Sequence, residues 1–197
     1  MMQRLVLTHT FEKALEYAVQ LHRHQWRKVN EAPYVSHLLA VAALVLEDGG
    51  SESEAIAALF HDAVEDQGGD STLAQIRVRF GEAVAEIVQG CTEPPRAQYP
   101  SWYDHKRAYF EQVRSALPAV QRVLLADKLH NGRSLLRNWA EFGEAMWGAF
   151  KGDRAQVLWF YQQAATCFGE VKSGWMADEL ARVAERLAQM DKAHDAV

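Results

Sequence analysis

The stretch Ser53-Glu-Ala-Ile-Ala-Ala-Leu-Phe-His61-Asp-Ala-Val-Glu65-Asp-Gln-Gly-Gly69 decides the fold. Its apolar positions Ile56, Leu59, Phe60 and Val64 recur at spacings of three and four, the period of one helix face and not the alternation of a strand. Ser53 can cap the start, and Gly68-Gly69 can end it, so one helix is expected over about Glu54–Gln67. The same punctuation repeats on either side. Thr8 or Thr10 opens a helix carrying Phe11, Leu15, Ala18 and Leu21, which Asn30–Pro33 breaks. Ser36 opens the next, ended by Gly49-Gly50. Ser71/Thr72 starts a helix with Leu73, Ile76 and Phe80. After Gly81 the pattern resumes at Val84, Ile87 and Val88.

Thr92–Pro100 holds three prolines and reads as a loop. Trp102, Tyr109 and Val113 mark a further helix. Pro118 suits the first turn of another, with Val120, Val123, Leu124 and Leu129 following. Glu141–Asp153 is looser, with Gly143, Gly148 and Gly152. The last helices fall within 154–193, and in the final one Met176, Leu180, Val183, Leu187 and Met190 form an amphipathic stripe. Docking onto the core is the plain reading of that stripe; the sharper one is a homodimer seam. Strand signals are nearly absent. The expected fold is all-α, a single compact helical bundle over 1–197 with about eight to ten helices.

Composition narrows the function. The chain has 197 residues, 49% hydrophobic and 24% charged, enough to bury a core without metal or disulfide staples. Its longest apolar run, Leu38–Leu46, is far shorter than the ~20 residues of a membrane helix, so no membrane association is expected. Met1–Thr10 lacks the pattern of a signal peptide. Lys+Arg 21 against Asp+Glu 26 gives a net charge of −5, which argues against broad nucleic-acid binding but allows a local basic pocket for a small phosphorylated ligand. Cys91 and Cys167 have no CxxC partner, which excludes a zinc ribbon and fits a reducing cytoplasm.

Glu65 lies four residues after His61, and Asp66 four after Asp62, one helical turn along the same faces. Three carboxylates beside an imidazole repel one another unless a cation is present. The alternative is a solvated acidic helix end. His37 opens an apolar helix, where a hydrogen-bonded core histidine is the plain reading. Asp127 follows four apolar residues, so it is expected to be at least partly buried and to need a cation or donors. Lys128, as the next residue on the helix, is expected to project elsewhere, which makes a metal the better partner. His37, His61, Asp62 and Asp127 form a mixed imidazole–carboxylate set suited to one divalent ion, Mn²⁺, Fe²⁺ or Zn²⁺. Without thiolates it is not a structural zinc site.

Four segments, in order between about residues 20 and 135, carry a family resemblance. They are His24-Gln-Trp-Arg27-Lys28 with Pro33-Tyr34 and Ser36-His37; Ala57-Ala-Leu-Phe-His61-Asp62-Ala-Val-Glu65-Asp66; Phe80-Gly81 with Val88-Gln-Gly90-Cys-Thr92; and Leu125-Ala-Asp127-Lys-Leu-His130-Asn131. The chain resembles the HD superfamily of metal-dependent phosphohydrolases, and within it the alarmone hydrolase domain of RelA/SpoT-type enzymes and the stand-alone hydrolases of the Mesh1 type. The resemblance implies an HD-domain helical bundle with His37, His61, Asp62 and Asp127 as ligands, Mn²⁺ as the usual ion, and Glu65 and Asp66 as the catalytic acid pair. It implies Arg27 and Lys28 at the substrate phosphates and Asn131 near the nucleoside. The implied reaction is removal of pyrophosphate from the 3′ position of guanosine tetra- or pentaphosphate. The alternatives are another nucleotide as substrate, or a non-catalytic nucleotide-binding module.

Leu38, Glu93 and Val29-Asn30-Glu31-Ala32 depart from the family's usual proline, lysine and glycine-containing turn. His130 is either an orienting partner of the metal site or a packing residue. Arg154 and the run Trp159-Phe160-Tyr161 could supply a phosphate contact and a stacking surface, with Tyr161 the named candidate, although such a run reads equally as core.

Overall fold

In the computed structural model the described residues are 4–149 and 153–194, the last four as backbone. Gly152, and residues 1–3 of the segment read for a leader, lie outside them. Ten α-helical segments follow in order: α1 His9–Leu21, α2 Val35–Glu47, α3 Glu52–Phe60, α4 Ala63–Asp66, α5 Asp70–Phe80, α6 Glu82–Cys91, α7 Trp102–Ser115, α8 Pro118–Phe142, α9 Arg154–Val171 and α10 Trp175–His194. Short 3₁₀ turns cover Arg96–Gln98 and Gly143–Ala149. Among the described residues there is no strand; one isolated antiparallel bridge joins Trp26 to Pro33. The expected all-α bundle is the observed one.

Helix α3 runs through the centre. Every residue from Ala55 to Phe60 is buried, and each large apolar side chain placed there contributes roughly 1.5–3 kcal/mol. Helix α8 crosses it and also packs against α2, α6, α7, α9 and α10. Two glycines permit close approach to or by α8. A Cβ on Gly90 would lie 2.7 Å from Val120 Cγ2, and one on Gly132 would lie 2.8 Å from Tyr161 Cε1 and 2.7 Å from Val183 Cγ1.

Three local expectations are corrected. Ser51, not Ser53, caps α3: Glu54 N donates to Ser51 Oγ, and Ser51 N donates to Glu54 Oε2 at 2.7 Å. That reciprocal box needs the Ser-x-x-Glu spacing, which Ser53 does not offer. Helix α2 starts at Val35 without a side-chain cap, and Ser36 lies inside its first turn, because a tight turn from Pro33 O to Ser36 N already sets the chain direction. The expected single helix over Glu54–Gln67 is interrupted at His61-Asp62. Asp62 takes φ −97°, ψ −3°, in the bridge region where many active-site residues lie. A single turn, α4, resumes at Ala63. The stripe Met176, Leu180, Val183 and Leu187 is buried, with α10 packed on α8 and α9, so it docks onto the core of its own chain. No helix among the described residues is long and apolar enough to cross a membrane, and Cys91 and Cys167 are buried free thiols.

Candidate metal centre and substrate cavity

The kink after α3 aims two adjacent side chains at one point. His61 Nδ1 donates to Ala58 O at 2.8 Å, which fixes the tautomer and leaves Nε2 as the free lone pair. His37, from the first turn of α2, presents its own Nε2 to the same point. Asp127 Oδ1, from α8, lies 3.2 Å from His37 Nε2 and 3.5 Å from His61 Nε2. Ligand atoms of His37, His61 and Asp127 all lie within 4.8 Å of one another. Asp62 stands outside that trio but next to it, with Oδ2 3.0 Å from His61 Nε2 and 3.6 Å from His37 Nε2. Among the described residues both Nε2 atoms are buried without a hydrogen-bond partner. Two such lone pairs facing carboxylate oxygens are what a cation satisfies, so the residues fit one divalent ion.

The surroundings hold these groups in place. His37 Nδ1 lies 2.7 Å from His130 Nδ1. With Nε2 of His37 turned to the carboxylates, its Nδ1–H is the donor. Burial, then the neighbouring His37, pulls His130 down to about 4, which keeps it a neutral acceptor. His130 is therefore the orienting partner of His37. Tyr34 OH donates to Asp62 Oδ2 at 2.5 Å and its ring stacks on His22. Burial tends to raise both Asp62 and Asp127, but His61 and His37 beside Asp62, and Lys128 with the two histidines beside Asp127, hold both well below the ordinary carboxylate range.

One expectation about Asp127 is wrong. Lys128 does not project away: its Nζ lies 2.7 Å from Asp127 Oδ2. The four-carbon stem lets the ammonium fold back across the helix surface, where it also lies over the Tyr109 ring at 5.2 Å. The carboxylate is thus divided, Oδ1 toward the histidines and Oδ2 toward Lys128.

Beside this cluster opens a cavity of about 540 Å³, lined by Arg27, Lys28, Tyr34, Asp62, Glu65, Asp66 and Glu93, by Lys106, Lys128 and Asn131, and by Trp102, Phe160 and Tyr161 among others. Arg27 Nη2 donates to Asn131 Oδ1 at 2.7 Å, and Asn131 Nδ2 donates to Asp127 Oδ1 at 2.5 Å. Arg27 is thereby tied to the carboxylate of Asp127, 100 residues away in the chain. Glu65 Oε1 accepts from Glu93 N at 2.7 Å, and Asp66 Oδ2 accepts from Gln25 Nε2 at 2.7 Å. Desolvation within the crowded cavity wall, with the charges of Glu93 and Asp62, raises Glu65 above its ordinary value against the pull of the Glu93 N–H and Lys128.

The sequence reading missed Lys106, which pairs with Glu93 Oε2 at 2.5 Å, and the wall positions of Trp102 and Val157, which join Phe160 of the aromatic run. Their spacing carries no signal, because α7 and α9 meet the site only in the fold. Arg154 does not face the cavity: it pairs with Glu144 at 3.1 Å and lies over Trp139. Trp159 packs against Trp102 and Tyr103. Tyr161 reaches the cavity wall but is buried beside Gly132.

Comparison with known proteins agrees with this geometry. Residues 14–144 match the HD domain family model. A guanosine-3′,5′-bis(diphosphate) 3′-pyrophosphohydrolase of Aquifex aeolicus is 36% identical over 124 residues, 63% of this chain and 17% of its own length. The human guanosine-3′,5′-bis(diphosphate) 3′-pyrophosphohydrolase MESH1 is 35% identical over 136 residues, 66% of this chain and 73% of its own. The chain thus spans about one-sixth of the longer bacterial relative. In fold it is similar to a solved metazoan ortholog of SpoT that hydrolyzes ppGpp, with TM-score 0.77, 24% identity, and coverage of 93% of this chain and 98% of that one. A buried His-Asp cluster at a helix break, a family model spanning two thirds of the sequence and a relative matched over most of its own length agree: the chain belongs to the HD domain family, in the branch that includes the MESH1-type proteins.

Proposed function

We propose that this chain hydrolyses guanosine 3′,5′-bis(diphosphate), releasing pyrophosphate from the 3′ position and leaving GDP, or GTP from the pentaphosphate. The observation that carries the reading is the pair of buried, unpartnered Nε2 atoms of His37 and His61 facing Asp127 and Asp62, at the edge of a cavity that also holds Arg27, Lys28, Glu65 and Asp66. His37, His61, Asp62 and Asp127 hold one divalent ion, Mn²⁺ in the first place. When bound, such an ion supplies Lewis acidity toward a phosphoryl oxygen and lowers the pKa of water.

The remaining work falls to the chain's own groups. Water adds to the phosphorus that carries the 3′ oxygen, the phosphorus–oxygen bond breaks, and a proton goes to that oxygen. Glu65, fixed through Glu93 N and raised above the ordinary carboxylate range, takes the water's proton. Asp66, held by Gln25, is the second carboxyl of the pair and hands that same proton on to the leaving oxygen. Arg27 spends one arm on Asn131 and keeps the other N–H groups for a forked phosphate contact, while exposed Lys28 offers a point charge. The working compartment in this reading is the cytoplasm, with a nucleotide as the small-molecule partner.

A second substrate is favoured by one observation: Glu93 engages Lys106 at the cavity wall, which withdraws a cation from phosphate and suits a nucleotide with fewer phosphates. The deciding experiment is anion-exchange product analysis after incubating the Mn²⁺-loaded protein with guanosine tetraphosphate, with Asp62→Ala as control. GDP and pyrophosphate formed by the wild type alone support the proposal. No product from a metal-loaded protein overturns it and moves the search to a nucleotide panel.

A further inference from the structure

Asp66 is exposed on the single turn α4, where an aspartate has several rotamers open to it. Its carboxylate serves a reaction from one of them only. Gln25 selects that one, with Nε2 donating to Asp66 Oδ2 at 2.7 Å. A primary amide has two ends of nearly equal shape, one donating and one accepting, so its sense must itself be set. Gln25 Oε1 lies 2.6 Å from Gln67 Nε2 and 2.6 Å from His22 Nδ1. Gln67 does not settle the sense, because two facing amides can turn over together. An imidazole N–H settles it, since it only donates. Nε2 of His22 is buried with no hydrogen-bond partner among the described residues. A proton there would be an orphaned donor, so the Nδ1–H form is favoured. Burial, against the pull of the Gln25 bond, lowers His22 below the ordinary imidazole value and keeps the ring neutral.

This side-chain bond is not needed to build the local fold. Gln25 N donates to His22 O at 3.1 Å, Tyr34 N donates to Gln25 O at 3.0 Å, and His22 N closes α1 on Ala18 O at 3.1 Å, so backbone bonds already hold the turn. Nor is imidazole the best filler of its place. The residue is 3% exposed and its ring stacks on Tyr34, with centroids 5.4 Å apart. A phenyl ring would fill the same space without burying a bare nitrogen. A polar group kept where an apolar one packs as well marks a functional demand.

We infer that His22 is a positioning residue, whose Nδ1–H fixes the sense of the Gln25 amide and, through it, the place of the Asp66 carboxylate. The inference rests on the hydrolase reading above and deepens it by naming what aims the second carboxyl. The test is a set of full-chain variants, each measured for Tm, bound Mn²⁺, and kcat and KM on guanosine tetraphosphate. His22→Phe keeps the ring and loses the donor. Its Tm and metal content are expected to stay at wild-type level or above, while kcat per bound Mn²⁺ falls about 5-fold at unchanged KM, the worth of one neutral hydrogen bond. His22→Asn, whose amide nitrogen falls near the place of Nδ1, is expected to restore kcat per bound Mn²⁺ to within about 2-fold, although loss of the ring lowers its Tm. Gln25→Leu is expected to lose about 10-fold or more, because it removes a bond to a charged group. His22→Phe added to Gln25→Leu should lose nothing further, since the two act in one line. Wild-type kcat in His22→Phe, a His22→Asn protein as slow as His22→Phe, or an additive double variant overturns the inference. If His22→Phe does not fold, a loss in Gln25→Leu without one in His22→Asn supports the inference, and any other pattern overturns it. Crystal structures of the Mn²⁺-loaded variants read the same contact without a substrate. The Gln25–Asp66 hydrogen bond is expected to be broken in most molecules of His22→Phe and kept in His22→Asn. If the wild type does not turn over guanosine tetraphosphate, the hydrolase reading fails and this contact decides alone: broken in His22→Phe and kept in His22→Asn it supports the positioning role, and any other pattern overturns it.

Discussion

Replacing Glu65 by glutamine isolates the proton-transfer role from the structural one. Glu65 Oε1 accepts from Glu93 N at 2.7 Å, and an amide oxygen accepts the same bond, so the loop at Thr92–Glu93 keeps its anchor. Glu65 is outside the His37, His61, Asp62 and Asp127 group, so metal content should not change. What disappears is the carboxylate oxygen that could take the water's proton. Losing a general base lowers turnover by about 10²–10⁴, equivalent to roughly 3–5 kcal/mol of barrier at 1.36 kcal/mol per decade. The pH profile supplies a second signature. Desolvation, together with Glu93 and Asp62, raises this carboxyl above its ordinary value. Since the base acts only when ionised, wild-type kcat/KM should fall on the acid side at a pH above the usual glutamate range. The assay is product release from guanosine tetraphosphate across pH 4.5–8, beside metal analysis of each protein. A Glu65→Gln protein that keeps more than about a tenth of wild-type turnover, or that shows the same acid limb, refutes the assignment.

Asp127→Ala removes a ligand and also strands Lys128, whose ammonium loses its partner at 2.7 Å; metal content should drop to background and stability by about 3–5 kcal/mol, and unchanged metal content by elemental analysis would sink the ligand assignment. Arg122 bonds Asp48 Oδ2 at 2.9 Å and also Glu54, both of low exposure, so Arg122→Ala should cost about 3 kcal/mol, roughly 6–12 °C in Tm for a chain of this size. Burial tends to raise Glu54, but the Ser51 hydrogen bonds and then Arg122 outweigh it and leave it below its ordinary value. Its contribution is therefore full above the unfolded-state pKa and lost as pH falls through the lower folded one, and the wild-type Tm should decline over that acid window less steeply in Arg122→Ala. Glu31 holds φ 51°, a left-handed conformation that costs a side chain roughly 1–2 kcal/mol and suits glycine. After the extra chain entropy of glycine, Glu31→Gly should raise Tm by about 2 °C, and a fall in a thermal melt would mean the glutamate side chain carries an interaction.

The helical order, the all-α class and the burial of the α10 stripe were legible because apolar spacing at 3.6 residues is a property of the local chain. Ser51 was misread for Ser53 because several serines can cap and only the reciprocal glutamate distinguishes them. Lys128 was misplaced because adjacency on a helix fixes where Cβ points, not where a four-carbon stem ends. Lys106 and Val157 gave no signal, since their meaning depends on which helices face one another across the cavity.

Sequence alone determined which groups could take part: two histidines and two aspartates of ligand type, a carboxylate pair one turn further on, and a basic pair with no partner nearby. These follow from side-chain chemistry and short-range geometry. Tertiary structure decided their relations. It brought Asp127 to 3.2 Å from His37, locked His37 through His130 and tied Arg27 to Asn131. Distances between residues far apart in the chain are set by how buried helices pack, and no local pattern encodes them.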